Sequence, residues 1–294
     1  MIFGLSPYFI IMTFFFLSFL GWIYESIFVS VKNKTLVNRG FLVGPIIPLY
    51  GFSGVIIYIL CRPFSSHASL LYVVGMLVAS TAEFFTSWLL EKFFHTKWWD
   101  YSDWQFNLDG RIAILPSMFW GFITLLLYDI LIPLDYIVIY AIPHSFRYTV
   151  MYALMTLTAA DTIYTFISVN NFRIQLGYLY KIRTELETQF EDVHFKNIIN
   201  TLKNRVSFSE RIENSYRQLS ELKNILNEDA KLIEFEKKYK AYIDSHVHLL
   251  KHSSFFGTRR IAKAFPSMKL LPSPKISVDV KEFLSEFNLK IKRK

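Results

Sequence analysis

Three carboxylates stand in sequence that gives them little polar company. Glu83 and Asp161 fall near the middle of long apolar runs, and Glu25 lies nearer the end of the first one. A charge at the centre of a bilayer costs about 2.5–3.5 kcal/mol on insertion scales, so such groups face a helix-bundle interior or a water-filled cavity. Two chemistries answer to that placement. One is a site for a cation, a proton or a positively charged substrate; the other is a protonated or hydrogen-bonded carboxyl that ties helices together. The hydroxyls of Thr81 and Thr86 alone do not neutralise Glu83, which favours the first reading there. Asp161, flanked by Thr158 and Thr162, leaves both open. Arg39 and Arg111 complete the set, because a lone guanidinium at the membrane boundary is costly. One of them is expected to pair with Asp100, Asp103, Glu25 or Glu83. The expected lining of a substrate or ion pathway is therefore Glu25, Glu83, Asp161, Arg39 and Arg111.

Other chemistries lack their residues. The sequence has no G-x-x-x-x-G-K-[ST], so it carries no phosphate loop for ATP hydrolysis, and it has neither H-E-x-x-H nor G-x-S-x-G. His246 and His248, two apart, point to opposite sides of a helix and make a poor metal pair. Cys61 is the single cysteine, which excludes an intrachain disulfide or a thiol metal site. No catalytic set, metal or cofactor is expected, and the chain is not read as an enzyme.

The elements that must position these groups are membrane helices. Hydrophobic residues make up 52% of the 294, and nearly all the long uncharged runs precede residue 170. Five windows approach the roughly 20 residues that a bilayer core requires. They run from about Pro7 to Val31, Gly44 to Cys61, Ser69 to Phe94, Ile112 to Ile132 and Arg147 to Val169. None alternates as barrel strands do, so helical spans are expected. The apolar patch from Asp135 to Pro143 is too short to cross and is expected to lie flat or re-enter. Met1 to Leu20 lacks an opening Lys or Arg and reads as the front of a retained helix rather than a cleaved signal.

Charge gives direction. Lys32, Lys34 and Arg39 follow the first window and Lys92, Lys97 and Arg111 the third, while Arg62 and Arg147 stand alone after the second and fourth. Enrichment of Lys and Arg on the cytoplasmic side places the N-terminus outside and loops one and three inside, with the tail. The formal charge of +8 resides in that tail, since residues up to 170 balance to −1. A basic tail beside membrane helices points to anionic lipid before nucleic acid, for which no motif is present. Residues 1–170 are thus a transmembrane domain. Residues 171–250 form a cytoplasmic helical, coiled-coil-like region, with Ile212, Tyr216, Leu219, Leu226 and Ile233 on a loose stripe. Residues 251–294 form a basic tail, whose stretch from His252 to Lys269 interleaves cations with Phe255, Phe256, Ile261 and Phe265 and suits a membrane surface. The fold class is all-α, with about five transmembrane helices.

Two loop segments stand out. From Asn38 to Gly51 there are three glycines and two prolines, poor material for a helix in lipid. The segment is either irregular backbone beside a polar pathway or a helix with Pro45 in its first turn. In loop three, Trp98, Trp99, Tyr101 and Trp104 stand among acids, as an interfacial aromatic belt or as a binding surface.

These residues carry a resemblance. Leu20-Gly21-Trp22-Ile23-Tyr24-Glu25, Asn38-Arg39-Gly40-Phe41-Leu42 and Gly44-Pro45 through Tyr50-Gly51 look like the opening signature of a known family. Glu83, Trp99-Asp100-Tyr101-Ser102, Phe106-Asn107 and Gly110-Arg111-Ile112 look like its central one. The chain resembles the ABC-transporter type IV permeases, CmpB-like bacterial membrane proteins, over roughly residues 10 to 170. The resemblance implies a multi-pass protein of the bacterial plasma membrane and a permease-like transport role. Lacking a phosphate loop, such a permease requires a separate nucleotide-binding subunit, and five spans per chain suggest a homodimer. The motif residues Asn38, Trp99, Asp100, Tyr101 and Asn107 form a second candidate constellation, in the cytoplasmic loops. Two readings of other kinds stand beside transport with an ATPase: a non-transporting scaffold or regulator that recruits a partner through its tail, and an ion-coupled carrier using the buried carboxylates.

Overall fold

The computed structural model describes residues 4–189, 260–261, 264–265, 267–273 and 276–280. Helix α1 (Pro7–Asn33) starts where Ser6 accepts a hydrogen bond from the Phe9 N–H and Pro7 takes the first turn, a position that needs no donor. It stops at Lys34, whose φ of 51° turns the chain left-handed. Residues 34–47 have no regular structure, and α2 (Pro48–Cys61) follows. The helix therefore begins at Pro48 and not at Pro45, which corrects the second of the two expectations for this stretch. Helix α3 (Ala68–Phe94) leads into loop three. After it, α4 (Ile114–Leu126) and α5 (Ile132–Ala141) are joined by a wide π turn, Leu127–Leu131. Pro133 offers no N–H to the carbonyl four residues back, and the wide turn absorbs that break without ending the helix. The patch from Asp135 onward, expected to lie flat or re-enter, thus continues the fourth helix to Ala141. Helix α6 (Arg147–Gln189) runs on well past the fifth window. The remainder of the expected coiled-coil region, the stripe included, and His246 and His248 lie outside the described residues.

Among the described residues, four helical segments are long and apolar enough to cross a membrane: Pro7–Asn33, Ala68–Phe94, Ile114–Ala141 and His144–Ile174. The second expected span is shorter. The 14 residues of α2 reach about 21 Å, against a hydrocarbon core of roughly 30 Å. With the irregular residues before it, the stretch from Phe41 to Tyr58 nevertheless reaches both ends of the bundle. Tyr8, Phe9 and Met12 pack with Ile139 and Met151 at one end, where Tyr58 of α2 joins them. Phe41, Phe94, Trp98, Val169 and Phe172 pack together at the other. Helices α1 and α3 therefore run parallel, with α2 returning between them.

The all-α expectation needs one correction. Two small antiparallel sheets cap the Phe94 end. Strands β2 (Asn107–Leu108) and β3 (Ile112–Ala113) form a hairpin whose turn residues Asp109 and Gly110 have φ of 54° and 67°. Asp-Gly is the pair such a tight turn favours. Strand β1 (Thr96–Lys97) pairs with β4 (Lys269–Ser273), which pairs with β5 (Ile276–Asp279). The chain beyond residue 260 thus returns to the helical body. Ile261, Ala264, Phe265, Met268, Leu270 and Val280 are buried in one cluster with Phe94, Trp98, Val169, Phe172 and Leu176. Of the stretch expected on a lipid surface, Ile261 and Phe265 are inside the protein, while Phe255 and Phe256 lie outside the described residues.

Small residues let the helices approach. A Cβ on Gly51 would collide with Ser18 Oγ and the Phe14 carbonyl of α1, and one on Gly75 of α3 would collide with Thr124 of α4. Gly177 of α6 has nothing within 4 Å of that position. Gly51→Ala is expected to destabilise the protein by about 1–3 kcal/mol through overpacking, and Gly177→Ala to stabilise it by about 0.5–1 kcal/mol. Thermal unfolding in detergent measures both, and equal shifts would contradict this packing.

Candidate functional site

Glu83 sits midway along α3, buried at 6% exposure. Its Oε1 accepts from the Tyr101 hydroxyl at 3.2 Å and its Oε2 from the Trp120 indole Nε1 at 2.9 Å. Beside it, Glu25 Oε1 accepts from the Tyr50 hydroxyl at 2.8 Å, and Glu25 Oε2 lies 3.7 Å from Arg39 Nε. The Tyr50 ring packs on Trp120 at 5.5 Å, joining the two halves. Six side chains from α1, loop one, α2, α3, loop three and α4 thus meet in one place. Arg39 pairs with Glu25, one of the acids expected for it. Its Nε and Nη1 have no hydrogen-bond partner, and its guanidinium lies 4.1 Å from the centre of the Phe265 ring. Burial lowers its pKa, which Glu25 partly offsets, yet an arginine that starts so high stays charged. Burial, then the Glu83 carboxylate, raises the Tyr101 hydroxyl, so it remains a donor at neutral pH. Only Glu25 meets the guanidinium and Glu83 is held by neutral donors, so the cluster has one carboxyl more than it has cations.

The other sequence candidates go elsewhere. Arg111 Nη1 lies 2.8 Å from Glu91 Oε2, about two turns along α3 from Glu83, and its guanidinium lies over the Phe84 ring at 5.6 Å. Its partner is an acid outside the expected four. Asp161 binds loop one: its Oδ1 accepts from the Val43 N–H at 3.1 Å and its Oδ2 from the Gly44 N–H at 2.8 Å, while Thr165 donates to Oδ1. It also borders an apolar cavity of about 430 Å³ between α1, α5 and α6, none of whose lining residues belongs to the Glu25–Glu83 cluster.

The loop constellation divides into shaping and joining groups. Asn38 Oδ1 accepts from Trp22 Nε1 and from the Gly40 N–H, and its Nδ2 donates to the Val43 carbonyl at 2.7 Å. Asn107 accepts from the Gly110 N–H and donates to the Ser102 and Trp104 carbonyls. Trp99 donates to the Arg111 carbonyl at 3.0 Å, and Trp98 is buried edge-on against Phe265 at 4.7 Å. Tyr101 alone of this set reaches the buried acids. Asp100 accepts from Ser102 and lies 2.5 Å from Lys269 Nζ of β4. Burial alone would raise the Asp100 carboxyl, but the bonds from Lys269 and Ser102 outweigh it and hold it below the usual carboxylate range. The bond to Asp100 raises Lys269 in turn.

Several contributors were not visible in sequence. Tyr50 and Trp120 look like ordinary apolar-run aromatics, and Glu91 stands near a helix end beside Lys92 with nothing local to mark it. Asp135, fully buried and accepting from Thr13 Oγ1 at 2.6 Å, opens the short patch beyond the fourth window. Arg260 belongs to a charged stretch where no single cation stands out.

Fold and site together define a mostly helical membrane protein with a buried polar cluster at the junction of its loops. The chain belongs to the family described as "Putative ABC-transporter type IV", whose model matches residues 12–166, more than half of the chain. This is the family that the Gly21–Gly51 and Glu83–Ile112 motifs resemble. Comparison with curated proteins and with solved structures finds no match.

Trp120→Phe leaves a buried Glu83 oxygen without its donor and is expected to cost about 1–3 kcal/mol, read by thermal unfolding in detergent. Because the Asp100 carboxyl is depressed and the Lys269 amine raised, their contact is complete at neutral pH. It weakens as pH falls below about 4 and again as it rises above about 10.5. Amide exchange of residues 269–273 across pH, corrected for the intrinsic rate, is expected to follow that window, and a flat profile would remove the ion pair from the docking.

Proposed function

We propose that this chain is the permease-like subunit of a membrane transport complex, acting as a homodimer with a separate nucleotide-binding subunit. The observation that carries the reading is the meeting of the buried Glu83 with the partly buried Glu25 and Arg39 in one cluster drawn from four helices and two loops. Charged groups held at that depth are costly where they serve packing alone. An unequal set, two acids to one base, suits a site that takes up and releases positive charge. Family membership supports a transport component, and the absence of a phosphate loop calls for an ATPase supplied by another chain.

In this reading α2, with the irregular residues before it, completes a fifth crossing. Phe41 of those irregular residues packs at the Phe94 end and Tyr58 of α2 at the Tyr8 end, which supports that crossing. The end bearing Arg39, Arg111 and the residue 260–280 segment faces the cytoplasm, as the Lys and Arg of loops one and three favour. The N-terminus then lies outside. An ion-coupled carrier that needs no ATPase is the second reading, and the surplus carboxylate of the cluster favours it.

Copurification in mild detergent followed by an ATPase assay tests the proposal. A stoichiometric nucleotide-binding subunit whose ATPase activity depends on this chain is expected. Glu83→Gln and Arg39→Ala are each expected to abolish that coupling while membrane insertion stays intact. A preparation free of any ATPase would sink the complex and favour the carrier; wild-type coupling in both variants would remove the cluster from the mechanism.

A further inference from the structure

The two described cations of the returning segment, Arg260 and Lys269, are engaged by protein. Arg260 Nη1 donates to the Gly40 and Leu42 carbonyls at 2.6 and 2.8 Å, and its Nη2 donates to the Phe41 carbonyl at 2.7 Å. Lys269 is held by Asp100, and β4 is paired to β1. Phe265 covers the guanidinium of Arg39. All these contacts lie where the apolar runs stop, because α1 ends at Asn33, α3 ends at Phe94 and β1 begins two residues later. The segment is therefore seated at the boundary between helix bundle and headgroups.

A second surface at the same height competes for these groups. Arg259, Arg260, Lys263 and Lys269 supply four cations within eleven residues, interleaved with Ile261 and Phe265. Each Lys or Arg near an anionic bilayer gains roughly fivefold in partitioning, and aromatic or aliphatic neighbours add to such binding. Arg260 and Lys269 cannot serve the protein carbonyls and Asp100 while they serve phosphates. The seventy residues between Gln189 and Arg260 leave ample chain for either position.

We propose that residues 260–280 are a latch that exchanges between loops one and three and anionic lipid headgroups, which compete for Arg260 and Lys269. On a neutral bilayer the latch stays on the loops and keeps Phe265 over Arg39. An anionic bilayer raises the fraction held by lipid, against the burial of Ile261, Phe265, Met268 and Leu270, and in that fraction Arg39 is uncovered and its unpartnered Nη1 is open to a ligand from that face. The latch rests on the docking contacts alone and holds whether the cluster beneath serves transport or another task.

Amide hydrogen exchange of the full chain in nanodiscs tests this without an activity assay. In discs of phosphatidylcholine, residues 268–273 are expected to be protected by the β1 pairing and by the bond from the Leu271 N–H to the His95 carbonyl. Raising phosphatidylglycerol is expected to speed their exchange about tenfold or more, with salt at about 0.5 M restoring protection. Helix α3 before Leu90, which does not meet the segment, should not change. Arg260→Ala should exchange fast in both discs, and Asp100→Asn should shift the response to a lower anionic fraction. Exchange that ignores lipid charge, or an acceleration that salt does not reverse, would overturn the latch. So would Arg260→Ala at wild-type protection. Were Arg260→Ala to loosen α3 as well, the wild-type and Asp100→Asn lipid titrations decide, and identical midpoints would count against the proposal.

Discussion

Residues 34–47 run between two membrane-depth helices without helical hydrogen bonds, and the rest of the structure is arranged around satisfying them. Irregular backbone persists at that depth only where protein takes up its donors and acceptors. Here Ser30 takes the Val37 N–H, Ser26 the Arg39 N–H, Asn38 its own neighbours, and Asp161 the N–H groups of Val43 and Gly44. The Ile47 N–H reaches the Ser18 carbonyl of α1. The carbonyls of Gly40, Phe41 and Leu42 are left for Arg260, more than two hundred residues away in sequence. One loop thereby draws α1, α6 and the end of the chain into a single assembly.

The same loop places Arg39. Held by the Ser26 bond and covered by Phe265, its guanidinium is directed at Glu25, and Glu25 in turn engages Tyr50 in the first turn of α2. Low local polarity makes each of these contacts stronger than in water and makes an unmatched charge expensive. Glu83 is accommodated differently, by two neutral donors from α4 and loop three rather than by a cation. The cluster therefore couples helix positions to loop positions: a shift of α4 or of loop three changes what holds Glu83.

Loop three serves both sides of that coupling. Tyr101 points inward to Glu83, while Asp100, its neighbour, points to Lys269. The left-handed turn at Asp109 and Gly110 keeps the loop compact enough for Trp99 to reach the Arg111 carbonyl and for Asn107 to tie its base. Beneath it Trp98 is enclosed by Phe41, Phe94 and Phe265, so the aromatic run that reads as a membrane belt is, at this position, the core that joins loop to tail.

By itself the sequence determined the membrane class, the long apolar helices, the motifs of the family and the acids whose burial is costly. Each of these follows from composition and local period, since an uncharged run of bilayer length and an acid within it are properties of neighbouring residues. The Asp109-Gly110 turn is equally local, but the two-residue strands it joins are too short to stand out from the helical runs around them. Tertiary structure alone decided the partners. Nothing local distinguishes Glu91 from Glu25 as the mate of an arginine, or marks Tyr50 and Trp120 as donors to acids on other helices. Asp161 reads as a mid-span charge, yet the loop amides it meets are more than a hundred residues away. The return of residues 260–280 was the least legible, because a basic amphipathic stretch fits a lipid surface and a protein groove by the same pattern, and only the three carbonyls of loop one and the exposed edge of β1 select the groove here.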